Sequence, residues 1–120
     1  MKYNIIKEKS LLFAIRCVNL YRFLCDDKQE FVLSKQMLRS GTSIGANISE
    51  AICAESNKDF IHKMHISLKE ANETQYWFEL LQKTNYLNNK EYQSLNNDLT
   101  EIIAILIAII KTNKQKTQTP

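Results

Sequence analysis

Only two of the 120 residues are glycine and only one is proline. Sandwiches and barrels built from short strands need turn residues every few positions, and βαβ units need glycine-rich crossovers. This chain has the raw material for neither. It reads instead as a chain that stays helical except where Asn, Asp and Ser break it. Hydrophobic residues at 44% and charged residues at 24% suit a packed domain rather than a disordered one. The length is that of one domain.

Periodicity divides the chain into four helices. The first spans about residues 3–25, with Ile6, Phe13, Cys17, Leu20 and Leu24 on one stripe. Leu11, Ile15, Val18 and Phe23 lie off that stripe, so this helix is apolar nearly all round and is expected to be buried on more than one side. A charged turn at 26–30 follows. The second helix spans about 31–54, with Leu33, Met37, Gly41, Ile44, Ile48, Ala51 and Ile52 facing the core. Ser56 and Asp59 have the spacing of a capping box and open a third helix over 57–83, whose core stripe is Phe60, Ile61, Met64, Leu68, Ala71 and Phe78. Asn88, three residues before Glu91, caps a fourth, which carries Tyr92, Leu95, Leu99, Ile102, Leu106, Ile109 and Ile110 on one side. Short breaks join antiparallel neighbours. The expected fold is all-α, an antiparallel up-down-up-down four-helix bundle over 1–113, followed by a flexible, polar, basic tail over 114–120.

Sixteen basic residues face 13 acidic ones, a formal charge of +3. Lys111, Lys114 and Lys116 supply that whole excess, in a final stretch without acids. The body is neutral, which argues against binding nucleic acid through bulk charge and leaves these three lysines as the candidate contacts for an anionic partner. Three cysteines, Cys17, Cys25 and Cys53, without a C-x-x-C, suggest buried free thiols in a reduced, cytoplasmic protein. With charges at Lys7, Glu8 and Lys9, the N-terminal segment is not expected to be a signal peptide. The longest apolar run, 102–110, is about half the length a bilayer requires, so no membrane partner is expected.

The second helix holds the feature that a core does not explain. Residues 40–49 read Ser-Gly-Thr-Ser-Ile-Gly-Ala-Asn-Ile-Ser, without a charge. Small polar residues are poor helix formers but permit close backbone approach. Away from the core stripe lie Gln36, Arg39, Ser43, Asn47 and Glu50; on the third helix a second stripe holds Ile66, Glu70, Glu73, Trp77 and Leu80. One reading is a solvated polar face. The other is an interface and ion-pair network, built from Gln36, Arg39, Ser43, Asn47, Glu50, Glu70, Glu73 and Trp77. In it, Arg39 bonds Glu70 or Glu73, within the chain or across a subunit boundary. If that network is buried, losing Arg39 costs about 3–5 kcal/mol.

The run from Leu33 to Ala51, with the pattern Q-x-x-R-S-x-x-S-I-x-x-N-I-x-E, resembles the four-helix bundle family named for proteins encoded in 23S rRNA intervening sequences. Asp59-Phe60, the stretch from Leu68 to Trp77, Glu8-Lys9-Ser10 and the ending from Ile109 to Thr112 also look like that family, so the resemblance covers about residues 3–113. It implies a small antiparallel bundle assembling into a ring, commonly a pentamer. Relatives include accessory proteins of diversity-generating retroelements, basic rings that bind a reverse transcriptase and nucleic acid. No catalytic residues come with the resemblance.

The residues themselves offer no enzyme. Asp59, His62 and His65 are spaced i, i+3, i+6, but no Glu-x-x-His motif is present for a helical di-iron site, and the histidines read as solvated. Glu70 and Glu73 fit an ion-pair network better than acid–base catalysis. No phosphate loop or nucleophile triad appears, and no metal or cofactor is expected. Two functional classes remain. One is a self-assembling ring that acts as scaffold or accessory, with itself and a further protein as partners. The other is an RNA-associated protein whose ring multiplies a modest basic surface.

Overall fold

The computed structural model describes residues 2–118 and is an elongated four-helix bundle, 54 × 22 × 21 Å. α1 covers Asn4–Asp26, α2 Leu33–Ile52, α3 Asn57–Lys83 and α4 Asn89–Gln118. α1 lies beside α2 and α4, and α3 beside the same two. Cross-helix contacts fix the directions. Ser67 Oγ donates to the Ile44 carbonyl at 2.8 Å, Lys9 meets Glu101 at 2.7 Å, and Asn57 Nδ2 donates to the Asn113 carbonyl at 3.1 Å. Along every seam successive contacts run in opposite order on the two helices, as in Cys17–Gly41 then Ser10–Gly45, Ile44–Ser67 then Glu50–Lys63, Asn57–Asn113 then Gln75–Asn96, and Lys9–Glu101 then Arg16–Asp98, so the bundle runs up-down-up-down.

The breaks follow from local chemistry. Gln29 and Asn85 take positive φ, 54° and 70°, where α1 and α3 give way to turns, and Asn is among the residues that adopt this conformation at least cost. Ser56 Oγ accepts the Asp59 N–H at 3.0 Å to open α3. Asn88 and Glu91 form a reciprocal capping box, at 2.8 and 2.9 Å, to open α4. α2 starts two residues later than its periodicity suggested, because Glu30 sets its origin. That carboxylate is buried and accepts the N–H groups of Val32, Leu33 and Ser34 at 2.9–3.0 Å, while Ser34 Oγ donates back to the Glu30 carbonyl at 2.9 Å. What reads as the end of a charged turn supplies the carboxylate that caps the first N–H groups of α2, from two residues before the N-cap position, Val32.

The core is the expected set of stripes with polar additions. Phe13 and Phe78 meet at its centre, ring centroids 6.0 Å apart. Ser10, Ser40, Ser67 and Thr74 are buried among the aliphatics. Each satisfies its hydroxyl on a nearby carbonyl; Thr74 also bonds Ser40 at 2.8 Å. Small hydroxyl residues let α2 approach both neighbours closely. Gly41 packs against Cys17, whose sulfur occupies the place a methyl group would take, and a Cβ at Gly45 would stand 3.3 Å from Ser10 Oγ.

α4 is helical through Gln118, so the residues read as a tail from 114 on continue its last turns. Asn113 ties the helix in just before them. It is buried, donates to the Ile109 carbonyl at 2.8 Å, and its own carbonyl accepts from Asn57. Residues 119–120 lie outside the described residues. The expectation of buried thiols needs correction. Cys17 is buried, and burial pushes it up to about 12; Cys25 is half-buried; Cys53, in the turn after α2, is exposed. By length and composition alone α4 would be long and apolar enough to cross a membrane, yet Leu95, Leu99, Ile102, Leu106 and Ile110 face the bundle core.

Candidate interaction surface

On the α2–α3 seam, four of the sequence-derived site residues come together. Arg39 splits its guanidinium between two carboxylates: Nη1 donates to Glu70 Oε2 at 3.2 Å and Nη2 to Glu73 Oε2. Trp77 Nε1 donates to the same Glu73 oxygen at 3.1 Å. The spacing explains the convergence, since Glu70, Glu73 and Trp77 follow one another at three and four residues along one face of α3. The Trp77 hydrogen bond first, and then Arg39, hold the Glu73 carboxyl below the usual glutamate range. Both carboxylates are engaged, so the cluster ties two helices together rather than presenting a free acid or base.

The remaining residues stand apart from it. Ser43 Oγ donates to the Arg39 carbonyl at 2.6 Å and Asn47 Nδ2 to the Ser43 carbonyl at 2.8 Å, so both spend their polar groups on their own helix. Gln36 is exposed. Glu50 is also exposed and reaches Lys63 at 3.6 Å, not Arg39. The Arg39 side chain is 50% exposed, against 34% for Glu73 and 17% for Glu70. The pairing is therefore intrachain, and the deep burial that would have made it worth several kcal/mol is not met within one chain.

Away from that seam the chemistry differs. Ile5, Leu12 and Ile15 on α1 are 67%, 56% and 49% exposed, Ile107 on α4 is 51% exposed, and Leu11, at 61%, borders the groove between α1 and α2. α1 and α4 are the most loosely packed neighbours, and grooves of about 390, 470 and 540 Å³ follow their seam. Polar bridges span it. Arg16 bonds Asp98 at 2.6 Å and Ser94 Oγ at 2.9 Å, and Lys9 bonds Glu101. Sequence reasoning passed over these bridges, and over Ile5, Leu12 and Ile107. The available signal was Lys9 and Arg16 two turns apart on α1, opposite Asp98 and Glu101 on its antiparallel neighbour.

Lys111, Lys114 and Lys116 are all exposed on the last turns of α4, at the end of the bundle where α1 begins. The neighbouring Lys2 amine pushes Lys116 below the usual lysine range. Asp59, His62 and His65 do not converge: among the described residues no group of three His, Cys, Asp or Glu side chains is placed to hold a metal ion.

An antiparallel four-helix bundle with an arginine–diglutamate clasp on one seam and exposed aliphatics along another defines a structural class. Sequence comparison makes it specific: the chain belongs to the family described as 23S rRNA-intervening sequence proteins, whose model matches residues 2–108. It is similar to a solved structure from Bacteroides thetaiotaomicron, described as a protein with unknown function from the S23 ribosomal protein family. The two share 62% identity at a TM-score of 0.91, over 92% of this chain and 99% of that one. No curated protein matches the chain. Neither description names an enzymatic activity.

Proposed function

We propose that this protein is a non-catalytic, self-assembling bundle that works as a ring-shaped homo-oligomer, in the five-membered form the family resemblance implies, and serves as scaffold or accessory to a further protein. The observation that carries the reading is the set of aliphatics on the outer faces of α1 and α4. The bundle has already filled its core, and it still leaves Ile5, Leu11, Leu12, Ile15 and Ile107 in water. Full burial of such a side chain contributes about 1.5–3 kcal/mol. Covering five half-exposed ones supplies several kcal/mol toward association. Light scattering at micromolar concentration tests this, and a monomer overturns it.

A second reading, an RNA-associated protein, is favoured by the lysines gathered at one end of the bundle and by the rRNA in the family's description. Because α4 is anchored through Asn113, deleting its end would damage the fold as well as the charge. The clean test replaces Lys111, Lys114 and Lys116 with Gln and compares filter binding of RNA as salt rises. Binding through these residues gives a shallower salt dependence in the variant. Equal slopes place any binding elsewhere on the body.

A further inference from the structure

Two exposed stripes match each other in reverse. On the outward side of α1, Glu8, Leu12 and Ile15 are separated by four and then three residues; on the outward side of α4, Lys111, Ile107 and Ala104 are separated by four and then three, read backward. All six are exposed, and among the described residues neither Glu8 nor Lys111 makes an ion pair. Resting on the self-assembly reading, we propose that α1 of one copy packs antiparallel on α4 of the next. Glu8 then faces Lys111, Leu12 faces Ile107, and Ile15 fills the space above Ala104. A parallel arrangement would set Glu8 against Ala104 and leave Lys111 over Ile15, so the order of charges selects the direction. Within the chain α1 and α4 already run antiparallel, and the contact between copies continues that alternation around the assembly. The two patches differ, so the contact is heterologous, the type that closes rings when the rotation permits.

The test has a charge arm and a covalent arm, with circular dichroism confirming helicity throughout. Glu8→Lys and Lys111→Glu each juxtapose like charges and raise the concentration needed for assembly by about tenfold or more, while the double reversal restores it. In a Cys53→Ser chain, Ile15→Cys combined with Ala104→Cys gives a ladder of covalent multimers on a non-reducing gel, and neither cysteine alone does. An intact oligomer without that ladder overturns the proposed contact, as does dimerisation by Ile15→Cys alone, which marks a two-fold pairing of α1. In both cases the self-assembly reading stands. A parent chain that is monomeric by light scattering removes both.

Discussion

Glu73 Oε2 receives two donors, the Arg39 guanidinium and the Trp77 indole, and this determines how the α2–α3 clasp responds to acid. The folded carboxyl titrates below its unfolded value, so its contribution to stability is complete above the ordinary glutamate value of about 4.3 and is lost as pH falls through the lower folded value. Trp77 is the only tryptophan, so its fluorescence should report the loss with a midpoint below about 4.3, and Glu73→Gln should abolish that transition. Arg39→Ala, at a half-exposed position, should cost only about 0–1 kcal/mol in urea unfolding and leave the oligomeric mass unchanged. A larger cost, or dissociation, would mean that another subunit covers this seam. The partners of Arg39 were legible in the sequence, because one helical turn separates the two glutamates. Its exposure was not, because helical spacing gives a residue's direction but not what lies beyond it.

At the scale of the element, helix packing was easier to read than helix origins. The core stripe of α1 was legible because Ile6, Phe13, Cys17, Leu20 and Leu24 repeat at helical spacing. The start of α2 was hidden, since Glu30 sits in a charged run and only the fold turns its carboxylate inward. Glu30→Ala should destabilise the protein by about 1–2 kcal/mol, measured as a shift in the urea midpoint, because it removes an N-terminal cap. Gly41→Ala gains helix propensity but drives a methyl group into Cys17, and overpacking of this kind costs about 1–3 kcal/mol. Adding Cys17→Ala vacates that space, so the double variant should recover stability relative to Gly41→Ala; failure to recover would show that backbone, not the sulfur, limits the approach of α1 and α2. The length of α4 was hidden for a related reason: the composition from 114 on is that of a tail and gives no sign that the helix continues through Gln118.

At the scale of the whole molecule, the sequence announced a helix apolar on nearly every side, and the isolated bundle buries only one side of it. The surplus aliphatics of α1 and α4, the loose seam between them and the matched stripes on their outer faces all concern what the bundle does next. Composition could not show this, because a neutral body with ordinary hydrophobicity is compatible with a monomer. The central claim is a closed assembly of identical chains, and native mass spectrometry across a dilution series tests it most directly. The account predicts one discrete species of about five 14.0 kDa chains, unchanged in stoichiometry as it is diluted until it gives way to free chains. A monomer at micromolar concentration, or an open-ended series of multimers that lengthens with concentration, would contradict it.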